Sequence, residues 1–578
     1  MKRKRYICAA LLTGCLSLGS CSLDEYNPSG GPTVEEYWST PEGYKKLING
    51  CYYTMVRPLY GGGEDYHVFW EEAGTDIWQG PREDGWMPQC FTYKGLNGGV
   101  GTLGELWRGP YEGINLCNAA IEYADKSGLG EGEKEAKAAE AYFLRAYYNL
   151  ILVEHFGGVY LPKTYTKEPM FDIPRMPVKD FYDLIFSDLQ YAMTHLPQTQ
   201  SEVGRATRAA AYHLYAKACL QRAPYEDVTA DEKRRLYGEA RDKAEAVITH
   251  DEGLAPGIAL YSEASEIFDV DNNKRNTEAL WVVSHSTIAS LNANTPKYWN
   301  RVFKQFGAID AGMCGVVLNK DSLPKFERRI MPTRFMLELY SEPQDTRYAA
   351  FFREKYYADV DYTWTESDCK KFDRNTSAAG VKTIRKGDVA LWFTREHVGD
   401  EDARSEAVID IDKIYDAEGK ATVLGKTYYP VLRKYEVPGM YEGELTKTYT
   451  SADNIVYRLA DTYLLAAEAW FRLDNKGMAA GYINEVRNRA CRNHDHSMDI
   501  GAGDVTEDFI LDERARELVG EYTRWMDLKR FRLLKQRAQA HNPNITTFDE
   551  AVHYLRPIPE KDELNYQKDP DEFQNPGY

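Results

Sequence analysis

The chain is poor in the features that usually betray chemistry or a partner. Past residue 20 it has no run of about 18 apolar residues, so nothing there reads as a membrane-spanning helix. Positive charge is short: 71 Lys and Arg against 89 Asp and Glu leave a net −18, which argues against a nucleic-acid partner. The same balance argues against the folded body lying on an anionic lipid surface. Ten cysteines are scattered without a CxxC pair, the spacing of neither a zinc site nor a dense disulfide framework. No Gly-x-Ser-x-Gly elbow, phosphate loop or dinucleotide fingerprint occurs. His494, Asp495 and His496 follow a helix end and read as a solvated turn. Asp269 to Asn273 begins like a calcium loop, but Lys274 stands where glycine is needed and Leu280 where the bidentate glutamate belongs. A glycosidase needs two carboxylates about 5–5.5 Å or 6.5–9.5 Å apart, and so acidic a chain nominates too many pairs to single one out. No metal, cofactor or catalytic residue is therefore assigned.

What is present begins with an export signal. Lys2 to Arg5 are positive, Tyr6 to Leu18 are apolar, and Leu18-Gly19-Ser20-Cys21 has the form of a lipoprotein signal. Residues 1–20 are read as the leader and Cys21 as the diacylglycerol acceptor. Two or more acyl chains anchor stably where a single one does not. Residues 21–40, polar and broken by Pro28, Gly30, Gly31 and Pro32, read as a tether. Residues 41–578 read as one domain.

Helical periodicity dominates that domain. Helices are expected over Glu42–Met55, Leu106–Ala124, Glu133–Phe156, Val178–Leu196, Arg205–Arg222, from Tyr237 to Thr249, and over Ile455–Leu473 and Met478–Arg492. Recurrent alanines, such as Ala139, Ala209 and Ala466, sit where paired helices must approach closely. The architecture is therefore mainly α: a tetratricopeptide-like scaffold of helical pairs, with repeats over about 106–250 and 455–531. Between about 278 and 438 a long, irregular, β-containing insertion intervenes, with β-favouring runs at Ala279–His285 and Thr427–Tyr435. Leu511, Ala515, Leu518, Tyr522 and Trp525 then form the apolar stripe of one helix over Leu511–Phe531. Asp512 with Arg516, Glu521 with Arg524 and Asp527 with Arg530 are its expected exposed pairs.

The segment RELVGEYTRWMDLKR (Arg516–Arg530), with YLRPIP (Tyr554–Pro559) and the ending QNPGY, resembles the C-terminal signature of the SusD/RagB family. RAYYNLILVEHFGGVYLP, GRATRAAAYHLYAKA and YRLADTYLLAAEAW resemble further family segments, in the family's order. Tyr522 stands where the family commonly has glycine, so this turn is expected to pack differently. The resemblance implies a non-catalytic, lipid-anchored protein at the outer-membrane surface. Such a protein captures oligosaccharide and delivers it to a SusC-like TonB-dependent transporter.

Sugars offer C–H faces to flat rings and hydroxyls to forked polar groups. The loop TDIWQGPREDGWMPQ supplies both, nominating Asp76, Trp78, Gln79, Arg82 and Trp86; NTPKYWNRVF adds Tyr298, Trp299 and Asn300. Three rival readings remain: a helical-repeat adaptor for peptides, a relative whose cargo is a peptide or glycopeptide, and a glycosidase.

Overall fold

The structure is a computed structural model and describes residues 31–61, 66–288, 300–309, 312–400, 403–560 and 563–578. The leader, Cys21 and the first half of the expected tether, as well as Tyr298 and Trp299, lie outside the described residues. Eleven helices carry the argument: α1 (Pro41–Thr54), α2 (Tyr66–Glu72), α3 (Gly101–Tyr123), α4 (Glu131–Phe156), α5 (Val178–His195) and α6 (Arg208–Arg222). They continue with α7 (Ala230–Ile248), α8 (Leu459–Arg472), α9 (Lys476–Ala490), α10 (Glu507–Leu518) and α11 (Arg524–Arg530).

Their ends follow from local chemistry. Thr40, Thr207, Thr229, Asn475 and Thr506 each turn a side-chain oxygen onto a free backbone N–H at a helix start. Gly157 stops α4 at φ 73°, a left-handed conformation that glycine enters without penalty. Helix begins inside the segment 21–40 that the sequence reads as a tether. Val34–Trp38 is already helical, and the Trp38 ring lies 5.7 Å from both Tyr123 and Tyr165.

The helices stack in sequence: α1 on α3, then α3 on α4, α4 on α5, α5 on α6 and α6 on α7. Alanines make the close approaches possible; Ala139, Ala210, Ala216, Ala466 and Ala467 are wholly buried. The stack does not stop at the insertion, because α7 packs directly on α8 and α8 on α9. This is the mainly α, tetratricopeptide-like frame the pattern predicts.

Seven short strands matter: β1 (Trp78–Gln79), β2 (Ala279–Val283), β3 (Met331–Pro332), β4 (Lys355–Tyr357), β5 (Val389–Phe393), β6 (Ala407–Ile409) and β7 (Asn454–Arg458). β2 pairs antiparallel with β7, so the chain enters and leaves the insertion at one place. Residues 455–458 are therefore strand, not the first turn of α8, because they must reach β2's edge before the helix begins. Of the run Thr427–Tyr435 only Val431–Leu432 is a strand, paired with Phe352–Arg353.

The expected single helix over Leu511–Phe531 is two. Gly520 and Tyr522 take φ of 76° and 60°, and a right-handed helix cannot pass through left-handed residues. A Cβ on Gly520 would come within 2.4 Å of the Leu432 side chain. Tyr522 therefore adopts a glycine-type conformation despite its ring, which packs 4.8 Å from Tyr60 and 5.3 Å from His67.

The charges expected on the outer face are inside. Glu517 receives Arg458 at 2.7 Å and Arg347 at 3.2 Å, and also pairs with Arg489. Glu513 takes Arg347 at 2.7 Å and Arg487 at 2.9 Å; Glu521 takes Arg458 at 2.7 Å and Lys434 at 2.6 Å. Asp512 pairs with Arg537 rather than Arg516, and Asp527 holds both Arg530 and Arg514. Among these arginines and lysines, Arg347 and Lys434 come from the insertion, Arg458 from β7, and Arg487 and Arg489 from α9. The carboxylates of α10, with Glu521 just past its end, thus fasten three parts of the chain, in an interior where unpaired charge is costly.

Candidate functional site

The loop after α2 divides sharply. Its first half is buried. Asp76 accepts two hydrogen bonds from Arg524, at 2.8 and 2.5 Å, and one from Arg537 at 2.9 Å. Burial would raise its pKa, but the two guanidinium groups outweigh that and hold it well below the carboxylate range. The Trp78 indole N–H donates to Glu72 Oε2 at 2.7 Å, and its ring packs 5.1 Å from Phe306. Gln79 donates to the Pro332 carbonyl at 3.2 Å and accepts from Asn544 at 2.9 Å, beside the β1–β3 pairing. These three are wholly buried and pin the loop to the C-terminal region. They offer no surface to a ligand, which corrects the expectation placed on them. Asn300 is also internal, donating to Ala452 O at 3.1 Å and Asn454 Oδ1 at 2.7 Å.

The second half faces solvent. Arg82 forks onto Asp84 at 2.8 and 2.6 Å, and Glu83 meets Lys426 at 2.5 Å. Trp86 is half-buried, its ring edge-on to Phe69 at 4.9 Å. Of the eight sequence-derived candidates, only Arg82 and Trp86 are both described and accessible.

A larger opening lies in the insertion. A cleft of about 720 Å³ runs between β4, the turn near Asn319 and the segment around Arg433. Strand alternation decides its lining: Tyr356 points inward, while Lys355 and Tyr357 point out, the latter 58% exposed. Trp392 on β5 stands opposite Lys355, whose ammonium is 4.9 Å from the indole centre. Below, the Tyr348 ring stacks on Phe352 at 5.4 Å, and Arg353 lies 4.6 Å over the Tyr356 ring while paired with Glu436. Glu354 organises the floor, accepting from Tyr348 at 2.5 Å and from the Trp392 indole at 3.0 Å. Arg433, at the rim, makes no side-chain ion pair among the described residues. Exposed rings set among fixed forked polar groups suit stacking on a ring face and hydrogen bonding at its edge. The sequence signal for this cleft is the ring-rich run AAFFREKYYADVDYTW (Ala349–Trp364); its irregular period concealed which rings face out.

Two groups of side chains bring metal-ligating atoms together among the described residues: His67, Glu71 and His155, all buried, and His397 and Asp412, both exposed, with buried Asp410. His494 and His496 join neither, turning to Glu263 and Asp499.

Family models match two stretches of the chain. One, described as the SusD family, matches residues 329–578; the other, described as starch-binding associating with outer membrane, matches residues 88–220. The chain belongs to the SusD/RagB family. Among relatives of this SusD-type protein, SusD-like protein P2 of Formosa agariphila is 25% identical over 561 residues, covering 94% of both chains. The starch-binding protein SusD of Bacteroides thetaiotaomicron is 25% identical over 416 residues, 70% of this chain and 66% of the relative. Solved structures agree on the fold. A laminarin-binding SusD-like protein superposes with a TM-score of 0.66 at 21% identity, covering 93% of this chain and 99% of that one. A SusD homolog from Bacteroides thetaiotaomicron gives 0.67 at 20% identity, covering 94% and 98%. The two matched stretches of the SusD-type chain hold the α3–α6 stack and everything from the insertion's β3 to the end. No helix among the described residues is long and apolar enough to cross a membrane.

Proposed function

We propose that this protein is a glycan-binding lipoprotein of the outer membrane, held by acyl chains on Cys21, that passes captured oligosaccharide to a SusC-like TonB-dependent transporter. Its chemistry is retention, not catalysis. The observation that carries the reading is the open cleft of the insertion, where Tyr357 stands with Lys355 and Arg433 over a floor of ion-paired Arg353 and Glu436. The glycan class takes its support from the starch- and laminarin-binding relatives. Arg82 and Trp86 serve on this reading as a secondary edge.

The test is titration calorimetry of the mature chain against a polysaccharide panel containing starch, laminarin and uronic-acid polymers, with affinity gels for variants. One member is expected to bind in the millimolar to micromolar range, about −4 to −8 kcal/mol. Tyr357→Ala and Arg433→Ala are expected to lower retention about tenfold at an unchanged melting temperature, whereas Trp78→Ala lowers the melting temperature. Full retention in both cleft variants with loss in Arg82→Ala would move the site to the loop. No binding across the panel, or release of reducing sugar from it, would overturn the function itself.

A further inference from the structure

The interior of the helical stack contains a second site, unrelated to the cleft. His67 and Glu71 lie one turn apart on α2, and His155 reaches them from the end of α4. His67 Nε2 is 3.3 Å and His155 Nε2 2.8 Å from the same oxygen, Glu71 Oε1. The three ligand atoms lie within 4.8 Å of one another, and all three side chains are at most 3% exposed.

Hydrogen bonding leaves this cluster incomplete. His67 Nε2 lacks hydrogen-bond geometry toward Glu71, and His67 Nδ1, Glu71 Oε2 and His155 Nδ1 meet no partner either, although all four atoms are shut away from solvent. Each buried polar atom left this way costs about 1–3 kcal/mol. His67 and Glu71 also border a cavity of about 20 Å³, walled by Tyr60, Tyr147 and Tyr522 together with Lys217 and Glu521. That is room for one water, which needs roughly 10–15 Å³. The ring planes are held in place: His155 stacks on Trp525 at 5.0 Å and 11°, and His67 lies edge-on to Tyr60 at 5.4 Å. Tyr522 closes the cavity, seated there by its left-handed backbone.

Two imidazoles and one carboxylate with ligand atoms this close are a ligand set for a divalent cation. We infer that His67, Glu71 and His155 form a structural zinc site, with a water in the adjoining cavity as fourth ligand. Metal–ligand bonds of about 2.0–2.2 Å in a tetrahedron separate neighbouring donors by about 3.4 Å, which the 3.3 Å His67–Glu71 spacing already matches. The 2.8 Å His155–Glu71 spacing needs only a small opening. Nitrogen donors favour zinc over calcium or magnesium, which take oxygen shells. The ion would tie the loop-borne α2 to the end of α4. It would give the stranded His67 Nε2 a partner.

The full chain, produced in zinc-supplemented medium and desalted over a chelating column, is assayed for zinc by plasma mass spectrometry. About one equivalent is expected. His67→Gln and Glu71→Gln are expected to hold about tenfold less or lower still, while His397→Ala keeps its zinc. Cobalt(II) in place of zinc should give the visible absorption of a tetrahedral site in the unmutated chain, a readout that does not depend on any variant folding. Zinc-free wild type without a cobalt spectrum would overturn the inference. So would a full equivalent in His67→Gln, or loss confined to His397→Ala.

Discussion

Glu72 closes α2 with its carboxyl wholly enclosed, accepting from the Trp78 indole and from the Thr523 N–H at 3.1 Å. Burial pushes its pKa up from 4.5 to about 8, against which the two donors only partly work. Between those values the folded chain keeps a proton that the unfolded chain has released. Stability due to this group is therefore full below 4.5 and falls as the pH rises toward 8. Glu72→Gln should remove that component. The difference in unfolding free energy between wild type and variant, measured in urea from pH 5 to 8, is expected to fall by up to about 1.4 kcal/mol per pH unit. A difference independent of pH would show that Glu72 is ionised throughout. The same residue explains why Trp78 misled the sequence reading. A tryptophan in a Gly- and Asp-rich loop looks available to a ligand; no periodicity reveals that the buried carboxyl of Glu72, at the end of the preceding helix, claims its N–H.

At the scale of elements the C-terminal segment is the informative case. Its apolar stripe was legible, and Leu511, Ala515, Leu518, Tyr522 and Trp525 are all buried. The charges were not, because i,i+3 and i,i+4 spacing describes a helix's own neighbours and says nothing of arginines arriving from Arg347, Arg458 or Arg489. The break at Gly520 and Tyr522 was likewise hidden, since periodicity counts residues and carries no φ. Glu517 is the centre of this clamp; burial would raise its pKa, but Arg489, Arg458 and Arg347 hold it well below the usual range. Its contribution is accordingly present above the ordinary glutamate range and lost as the pH falls through the depressed value. Glu517→Ala should cost about 3–5 kcal/mol, because three guanidinium groups lose a shared partner inside the protein. Glu42→Ala, which removes an exposed partner of Lys46, should leave the urea midpoint where it is. Equal midpoints for the two variants would refute the clamp.

For the molecule as a whole, the helical stack and its interruption could be read in the sequence, since alanine-rich pairs and a shift to β-favouring runs are local signals. Which rings become accessible could not, as that depends on how β4, β5 and the Asn319 turn converge. The cysteine reading carries a whole-chain expectation. Cys51, Cys90, Cys117, Cys219, Cys314, Cys369 and Cys491 are all buried and free, so no crosslink contributes to stability among the described residues. The melting temperature of the mature chain should be the same with and without reductant; a drop in reductant would reveal a disulfide. The antiparallel pairing of β2 with β7 has a broader consequence. Because the two ends of the intervening 170 or so residues meet side by side, at the roughly 4.8 Å spacing of neighbouring strands, that stretch behaves as a graft on an otherwise unbroken trunk. Doubling a flexible loop within it adds only about 0.6 kcal/mol of closure entropy. New ligand preferences are therefore open to it at little risk to the trunk that bears them.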